Sequence, residues 1–261
     1  MVVFHDGLSQ VHRDEIVEAS PNRIWFAYVE DYLDVPDWLD TRPDNKARLG
    51  EVKWTMGYRG MCRFRSGPIF THPAIAKNDY AMTLDTDGYF PADLEGDPMV
   101  EMHEGNYDYT YSHMLSDQPG AVRHFWHYTL LYMGLKGVHP RGTDLLKNVI
   151  REEDSEWNYM LYMNDIEIVR LSWFTSDPYQ DYFRYLDSVG GFWLYRWGDH
   201  AMRTIAVGMW MNESKILNMD VPYGHQAYCK CPEHAACVRE GSRGGTPAEW
   251  WVCVNVTSAD E

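Results

Sequence analysis

The chain is expected to fold as an α/β protein, a sheet flanked by helices, and three observations lead there. It has 261 residues of which 45% are apolar, ample for a substantial core in one domain spanning 1–261. Its N-terminal stretch alternates strand, helix and strand. Farther on, the strand-like run Tyr80-Ala81-Met82-Thr83-Leu84 leads into Asp85-Thr86-Asp87-Gly88, which sets two carboxylates at the open end of a sheet.

Val2-Val3-Phe4 reads as a short buried strand, Asp6-Gly7 as a turn and His12 to Ala19 as an amphipathic helix. Ile24 to Val29 supplies the next strand. The stretch Asp34 to Asn45, with Pro36 and Pro43, is a surface connection. Tyr58 to Phe64 reads as a helix start facing the core, and Tyr80 to Leu84 as the strand before the acids. Gly88 to Gly105 is loop-like, while Tyr107–Tyr111 and Val122–Tyr132 are aromatic-rich and fit helix or strand equally. Thr175-Ser176-Asp177 is a capping arrangement for a helix over Pro178 to Ser188 that stops at Gly190-Gly191, and His200 to Trp210 is another helix. Residues 229–261 read as an irregular C-terminal wrap ending in a strand, Trp250 to Val256.

The acid pair is the first chemical signal. A hard divalent cation such as Mn²⁺ or Mg²⁺ takes oxygen ligands, commonly one or two carboxylates plus the phosphates of a substrate. Asp85 and Asp87 are therefore candidate metal ligands, and a diphosphate-bearing substrate is implied. Acids at this spacing also occur as ordinary turn and cap residues. Arg59 and Arg63, one helical turn apart, could add charge-assisted contacts to the same diphosphate, or equally form surface ion pairs. Glu167, between Ile166 and Ile168, is either a carboxylate buried for a purpose or the solvent face of an alternating strand. Asp199 could orient or deprotonate an acceptor hydroxyl, or simply cap the helix beginning at His200.

Composition excludes other classes. The formal charge of −16 arises from 39 acidic against 23 basic residues, so nucleic acid is not an expected partner. No apolar run approaches the roughly 20 residues of a membrane span, and no signal-peptide pattern opens the chain; a soluble, cytoplasmic protein is the default expectation. The Asn212-Glu213-Ser214 and Asn255-Val256-Thr257 acceptor patterns carry no weight in that setting. Five cysteines force no disulfide framework. Cys229, Cys231, His234 and Cys237 offer the ligand types of structural zinc at a cramped spacing, which favours free thiols or a local disulfide. His124 and His127 flank Phe125-Trp126 and read as core fillers.

Several blocks, in this order, resemble those of glycosyltransferase family 15, the fungal glycolipid 2-alpha-mannosyltransferases. Tyr58-Arg59-Gly60-Met61-Cys62-Arg63-Phe64 with Ser66-Gly67 resembles the family's Tyr-Arg-x-Met-Cys-Arg-Phe helix. Asp85-Thr86-Asp87 resembles its Glu-Pro-Asp, and Asn164-Asp165-Ile166-Glu167-Ile168 its Asn-Phe-Glu-Ile segment. Gly190-Gly191-Phe192 followed by Arg196-Trp197-Gly198-Asp199 resembles its Gly-Gly-Phe and Arg-Trp-Gly-Asp, and Tyr223-Gly224-His225 its Tyr-Tyr-His.

The resemblance implies a GT-A-like nucleotide-sugar-binding sheet flanked by helices, lacking the first part of the fungal fold. It implies a site in which Asp85, Asp87 and His225 hold Mn²⁺ or Mg²⁺. Glu167 falls at the family's candidate nucleophile, Tyr58 beside the donor sugar and diphosphate, and Asp199 close to the acceptor. Arg59, Arg63, Ser66, Arg196 and Trp197 join Tyr58 as candidate donor-binding residues. The implied reaction is metal-dependent, retaining transfer of mannose from GDP-mannose to a glycan hydroxyl, with nucleotide sugar and glycan acceptor as partners. A same-fold enzyme using a UDP-sugar or another donor, and a catalytically silent carbohydrate-binding protein, stand as alternatives. Acceptor, linkage and oligomeric state are not legible in the residues.

Overall fold

The computed structural model describes residues 1–30, 54–225 and 228–232, with positions 35, 39, 235, 237, 253 and 254. Twelve strands are present among them: β1 (Val2–His5), β2 (Trp25–Tyr28), β3 (Tyr80–Leu84), β4 (Gly88–Tyr89), β5 (Tyr109–Tyr111), β6 (Met114–Ser116), β7 (Met160–Tyr162), β8 (Ile166–Arg170), β9 (Ile216–Asn218), β10 (Tyr223–His225), β11 (Tyr228–Lys230) and β12 (Cys253–Val254). The helices are α1 (Gln10–Ala19), α2 (Met56–Ser66), α3 (Pro68–Thr71), α4 (Pro98–Glu104), α5 (Phe125–Lys136), α6 (Asp144–Val149), α7 (Leu171–Phe174), α8 (Asp177–Val189), α9 (Gly191–Tyr195) and α10 (Asp199–Trp210).

Local chemistry sets these boundaries. The Ser9 and Thr55 hydroxyls accept the backbone N–H groups of His12 and Tyr58, capping α1 and α2. Pro178 sits in the first turn of α8, and Gly190 ends that helix in the left-handed conformation at φ 80°.

β1 and β2 pair in parallel through α1, as the N-terminal pattern predicts, but as a two-stranded sheet of their own. The acid-bearing strand lies in a separate four-stranded sheet of order β3-β8-β5-β9, with β8 antiparallel to β3 and β5, and β5 parallel to β9. The stretch expected to be a loop, Gly88 to Gly105, instead contains β4 and the helix α4. Asp97 caps α4 and Pro98 opens it, a start signal masked by the surrounding acids and prolines. The ambiguous middle resolves into strand β5 and helix α5. Most of the expected C-terminal wrap, including His234 and the rest of the Trp250–Val256 strand, lies outside the described residues.

Two cores form. The larger gathers Phe125, Tyr132, Tyr182, Leu186, Phe192, Trp197, Ile205 and Val207 from α5, α8, α9 and α10 against the sheet. The smaller, Met102, Ile166, Ile168, Met219 and Tyr223, lies on the acid-bearing side. Ile166 and Ile168 are fully buried, and each contributes about 1.5–3 kcal/mol by leaving water. Cys231 and Cys237 form a disulfide, Cys229 is also disulfide-bonded, and Cys62 is free and buried. The cramped zinc reading therefore gives way to the local disulfide. No described helix is long and apolar enough to cross a membrane.

Candidate active site

The site forms where β3 ends. Asp85 leaves the strand with its N–H donating 2.9 Å to the Asp165 carbonyl, and Gly88 N–H closes the acid turn on the Asp85 carbonyl at 3.0 Å. The chain then runs into β4, which pairs with β10 so that His225 stands opposite Gly88. Only glycines permit so close a pairing. A Cβ on Gly88 would collide with the Tyr223 hydroxyl, and one on Gly224 with the Tyr89 ring. The pairing delivers the imidazole to the acids: His225 Nε2 lies 3.0 Å from Asp87 Oδ1 and 3.4 Å from Asp85 Oδ2.

Asp85, Asp87 and His225 each present a ligand atom, all within 4.8 Å of one another. Two carboxylates and one imidazole suit Mn²⁺ and leave coordination positions for phosphate oxygens and water. Asp87 is exposed and the other two are partly covered, so the trio opens to solvent on one side.

Beneath it lies a buried charge network. Arg65, not Arg59 or Arg63, is the arginine of α2 that reaches the acids. Its Nη1 donates to Asp85 Oδ1, its Nη2 donates 2.6 Å to the Asn164 carbonyl, and its Nε is 3.3 Å from Asp199 Oδ2. Asn164 Nδ2 donates to the same Asp199 oxygen at 2.8 Å. Arg203 pairs with Glu167 Oε1, donates to the Arg65 carbonyl and lies over the rings of Phe70 and Phe174.

These surroundings set the charges. Burial opposes ionisation of Asp199, but Arg65, His200 and Arg203 outweigh it and hold the carboxyl well below the usual carboxylate range. Glu167 goes the other way, because burial raises it more than Arg203 and Arg65 lower it. Asp165 is likewise raised by burial, against the pull of His200 and His225.

The arrangement separates the sequence-derived candidates. Asp85, Asp87 and His225 converge. Asp199 is fully buried in the network, and it does not cap its helix: α10 begins at Asp199 itself, with Gly198 as the cap. Glu167 is buried on a strand covered on both faces, so it is not the solvent-facing residue of an alternating strand. Its side chain is 1% exposed, with one oxygen held by Arg203.

Arg59 donates to the Trp193 carbonyl and Arg63 forks onto Asp187, so the geometry turns both toward α8 and α9 rather than toward a diphosphate at the acids. Ser66 is buried, its hydroxyl donating to the Cys62 carbonyl and its carbonyl accepting from Tyr179, which leaves it without access to a donor. Trp197 is a core residue whose indole N–H binds the Arg123 carbonyl.

Tyr58 and Arg196 form a second cluster. Arg196 Nη2 donates 2.8 Å to the Tyr58 hydroxyl, its Nη1 is 3.4 Å from Asp117, and its guanidinium lies 4.5 Å from the centre of the Trp54 ring. Burial raises the Tyr58 phenol, with Cys62 and Asp199 adding to the shift and Arg196 opposing it, so the hydroxyl stays protonated.

Sequence reasoning missed Arg65, Arg203, Asn164 and Asp165. Arg65 stands two residues after Arg63, about 200° around the helix, which puts it on the opposite face. The available signal was that angular offset, which separates the face carrying Arg59 and Arg63 from the face meeting the acids.

A model described as glycolipid 2-alpha-mannosyltransferase matches residues 5–246. Among curated proteins, the probable mannosyltransferase KTR3 of Saccharomyces cerevisiae is 29% identical over 210 residues, covering 78% of this chain and 52% of its own length. The O-glycoside alpha-1,2-mannosyltransferase omh1 of Schizosaccharomyces pombe is 27% identical over 239 residues, covering 87% and 60%. The chain thus spans 52–60% of the length of these two relatives. Core-mannan synthase A (CmsA/Ktr4) of Aspergillus fumigatus, solved in an Mn/GDP form, superposes with a TM-score of 0.81 at 21% identity, over 97% of this chain and 71% of that one. The mannosyltransferase Ktr4p of S. cerevisiae in complex with GDP gives 0.80 at 22% identity, over 91% and 67%.

Proposed function

Because this chain belongs to the glycolipid 2-alpha-mannosyltransferase family, we propose that it transfers mannose from GDP-mannose to a glycan hydroxyl with retention, in a metal-dependent reaction. The observation that carries the reading is the convergence of Asp85, Asp87 and His225 across the β4–β10 pairing. An Asp-Asp-His set fits Mn²⁺ as well as Mg²⁺, and the Mn/GDP form of the Aspergillus relative supports the same donor chemistry here.

Glycosyl transfer needs stabilisation of the negative charge that grows on the departing nucleoside diphosphate. A divalent ion held by Asp85, Asp87 and His225 supplies that stabilisation as a Lewis acid. Arg65 keeps the Asp85 carboxylate aimed and balances its charge from below. Asp199 and Asn164 fix Arg65 in turn, and Glu167 holds Arg203 against the Arg65 carbonyl. We therefore give Glu167 and Asp199 positioning roles, in place of the nucleophile and acceptor base expected from sequence. Tyr58, half-buried and protonated, offers a hydrogen bond to the donor or acceptor rather than a charge, and Arg196 orients it.

The Cys231–Cys237 disulfide fits an oxidising compartment better than the reducing cytoplasm taken as the default. A screen of nucleotide sugars with and without Mn²⁺, read by release of free nucleotide, tests the function. Mn²⁺-dependent release of GDP from GDP-mannose is expected. Release only from a UDP-sugar, or none from any donor, would overturn it.

A further inference from the structure

We propose that Asp165 is a positioning residue for the cation site: its carboxylate, set behind His225, orients the imidazole with Nδ1–H toward Asp165, which leaves the Nε2 lone pair for a cation shared with Asp85 and Asp87. This rests on the reading of Asp85, Asp87 and His225 as metal ligands.

The imidazole has two faces in this site. Nε2 points at the acids, and Nδ1 lies 3.7 Å from Asp165 Oδ2 on the far side. Asp165 is fully buried. Among the described residues its Oδ1 accepts from the neighbouring Ile166 N–H alone, at 3.1 Å, and its Oδ2 has no hydrogen-bond partner. A carboxylate oxygen removed from water and left without a donor is costly; the imidazoles of His200 and His225 both favour its charge, and the His225 Nδ1 lies 3.7 Å away. At 3.7 Å the two atoms are within ion-pair range and beyond a hydrogen bond, so the proposed contact requires them to draw together when the cation binds.

The backbone of Asp165 ties the same parts together. Its carbonyl accepts from Asp85 N–H at 2.9 Å and from the Tyr223 hydroxyl at 3.2 Å. Tyr223 lies two residues before His225 on β10, so a single residue of the β8 edge fixes the acid, the strand carrying the imidazole and the imidazole's orientation. A ligating histidine commonly donates its second N–H to a carboxylate, which fixes the tautomer and strengthens the metal bond. Glu167, two residues on, is spoken for by Arg203 and takes no part in this task.

Mn²⁺ affinity of the chain without donor, read by titration calorimetry, is the primary test, with D165N as the variant. D165N keeps size and shape but removes the charge, and a loss of about 10–100-fold in Mn²⁺ affinity is expected with the fold retained by circular dichroism. Unchanged affinity in a folded D165N protein would overturn the proposal. Imidazole nitrogen NMR of the wild-type chain loaded with diamagnetic Mg²⁺ needs no variant: it should report His225 with the proton on Nδ1, and a proton on Nε2 in the metal-loaded chain would overturn the proposal even if D165N fails to fold. The failure modes are distinct. A wild-type chain that binds no Mn²⁺ brings down the site itself, whereas normal wild-type binding with an indifferent D165N brings down only the role of Asp165.

Discussion

Arg65 joins Asp85 to Asp199: one guanidinium donates to the first through Nη1 and lies 3.3 Å from the second through Nε. A partly covered acid at a strand end and a sealed acid at a helix start thus share one counter-ion. Each of the three groups is charged because the other two are, a condition that a buried network must satisfy to be tolerated.

Replacing that counter-ion exposes the dependence. R65M strands Asp199 without its main partner, and a loss of about 3–5 kcal/mol of stability is expected, as for breaking any buried ion pair from one side. Urea unfolding measures it. A change below about 1 kcal/mol would mean that His200 and Asn164 suffice for Asp199.

Glu167 and Arg203 make a second such pair. E167Q alone should cost a similar 3–5 kcal/mol, while the double replacement E167M/R203M should recover most of it, because two apolar chains leave no orphaned charge. A folded E167Q protein that transfers mannose within about tenfold of wild type fits a positioning role. A loss beyond about a thousandfold would return the residue to the chemistry.

For the metal ligands, D85A and H225A should each weaken Mn²⁺ binding by more than the roughly 10–100-fold typical of an outer-shell partner. Chelation should abolish GDP release and added Mn²⁺ restore it. Calorimetry and nucleotide release check the two halves separately.

The glycine pairing predicts a geometric effect. G88A drives a methyl group into the Tyr223 hydroxyl and displaces the strand that carries His225, so Mn²⁺ affinity should fall. G120A, where an added Cβ meets nothing within 4 Å, should leave it unchanged.

Acid should loosen the network through Asp199. Its folded-state carboxyl is lowered, so the unfolded chain takes up the proton more readily. Its stabilising contribution is therefore complete above the ordinary carboxylate range and is lost as pH falls through the lower folded value. Between pH 6 and pH 3 the wild-type chain should lose stability more steeply than D199N in urea titrations. Parallel slopes would remove Asp199 from the account.

Much of this was legible in the residues. Tyr80 to Leu84 reads as a strand and is one, although Ala81, Met82 and Leu84 are helix formers, because the run is short and closed by the Asp85 to Gly88 turn. The stop of α8 at the left-handed Gly190 follows from capping chemistry, whereas its start rests on Pro178 in the first turn, the Ser176 hydroxyl making no cap hydrogen bond. Asp85 and Asp87 stand out by their spacing, whereas His225 enters only through the family resemblance, because its meeting with the acids depends on a pairing between strands of two and three residues that no periodicity reveals. What stayed hidden was mutual burial. A sequence shows that Glu167 sits between isoleucines, but not that Arg203 covers it. It shows three arginines in one helix, but only the helical angle, combined with the packing of α8 and α9, tells which one reaches the acids.

The larger core is complete by α10 and β9, before the chain reaches β10. The cation site therefore needs an element that the larger core does not: β10 must dock on β4 before His225 meets the acids. A polypeptide cut after Val221 should keep most of its helical signal and bind no Mn²⁺. Metal uptake would then report the docking of β10 separately from the folding of the core.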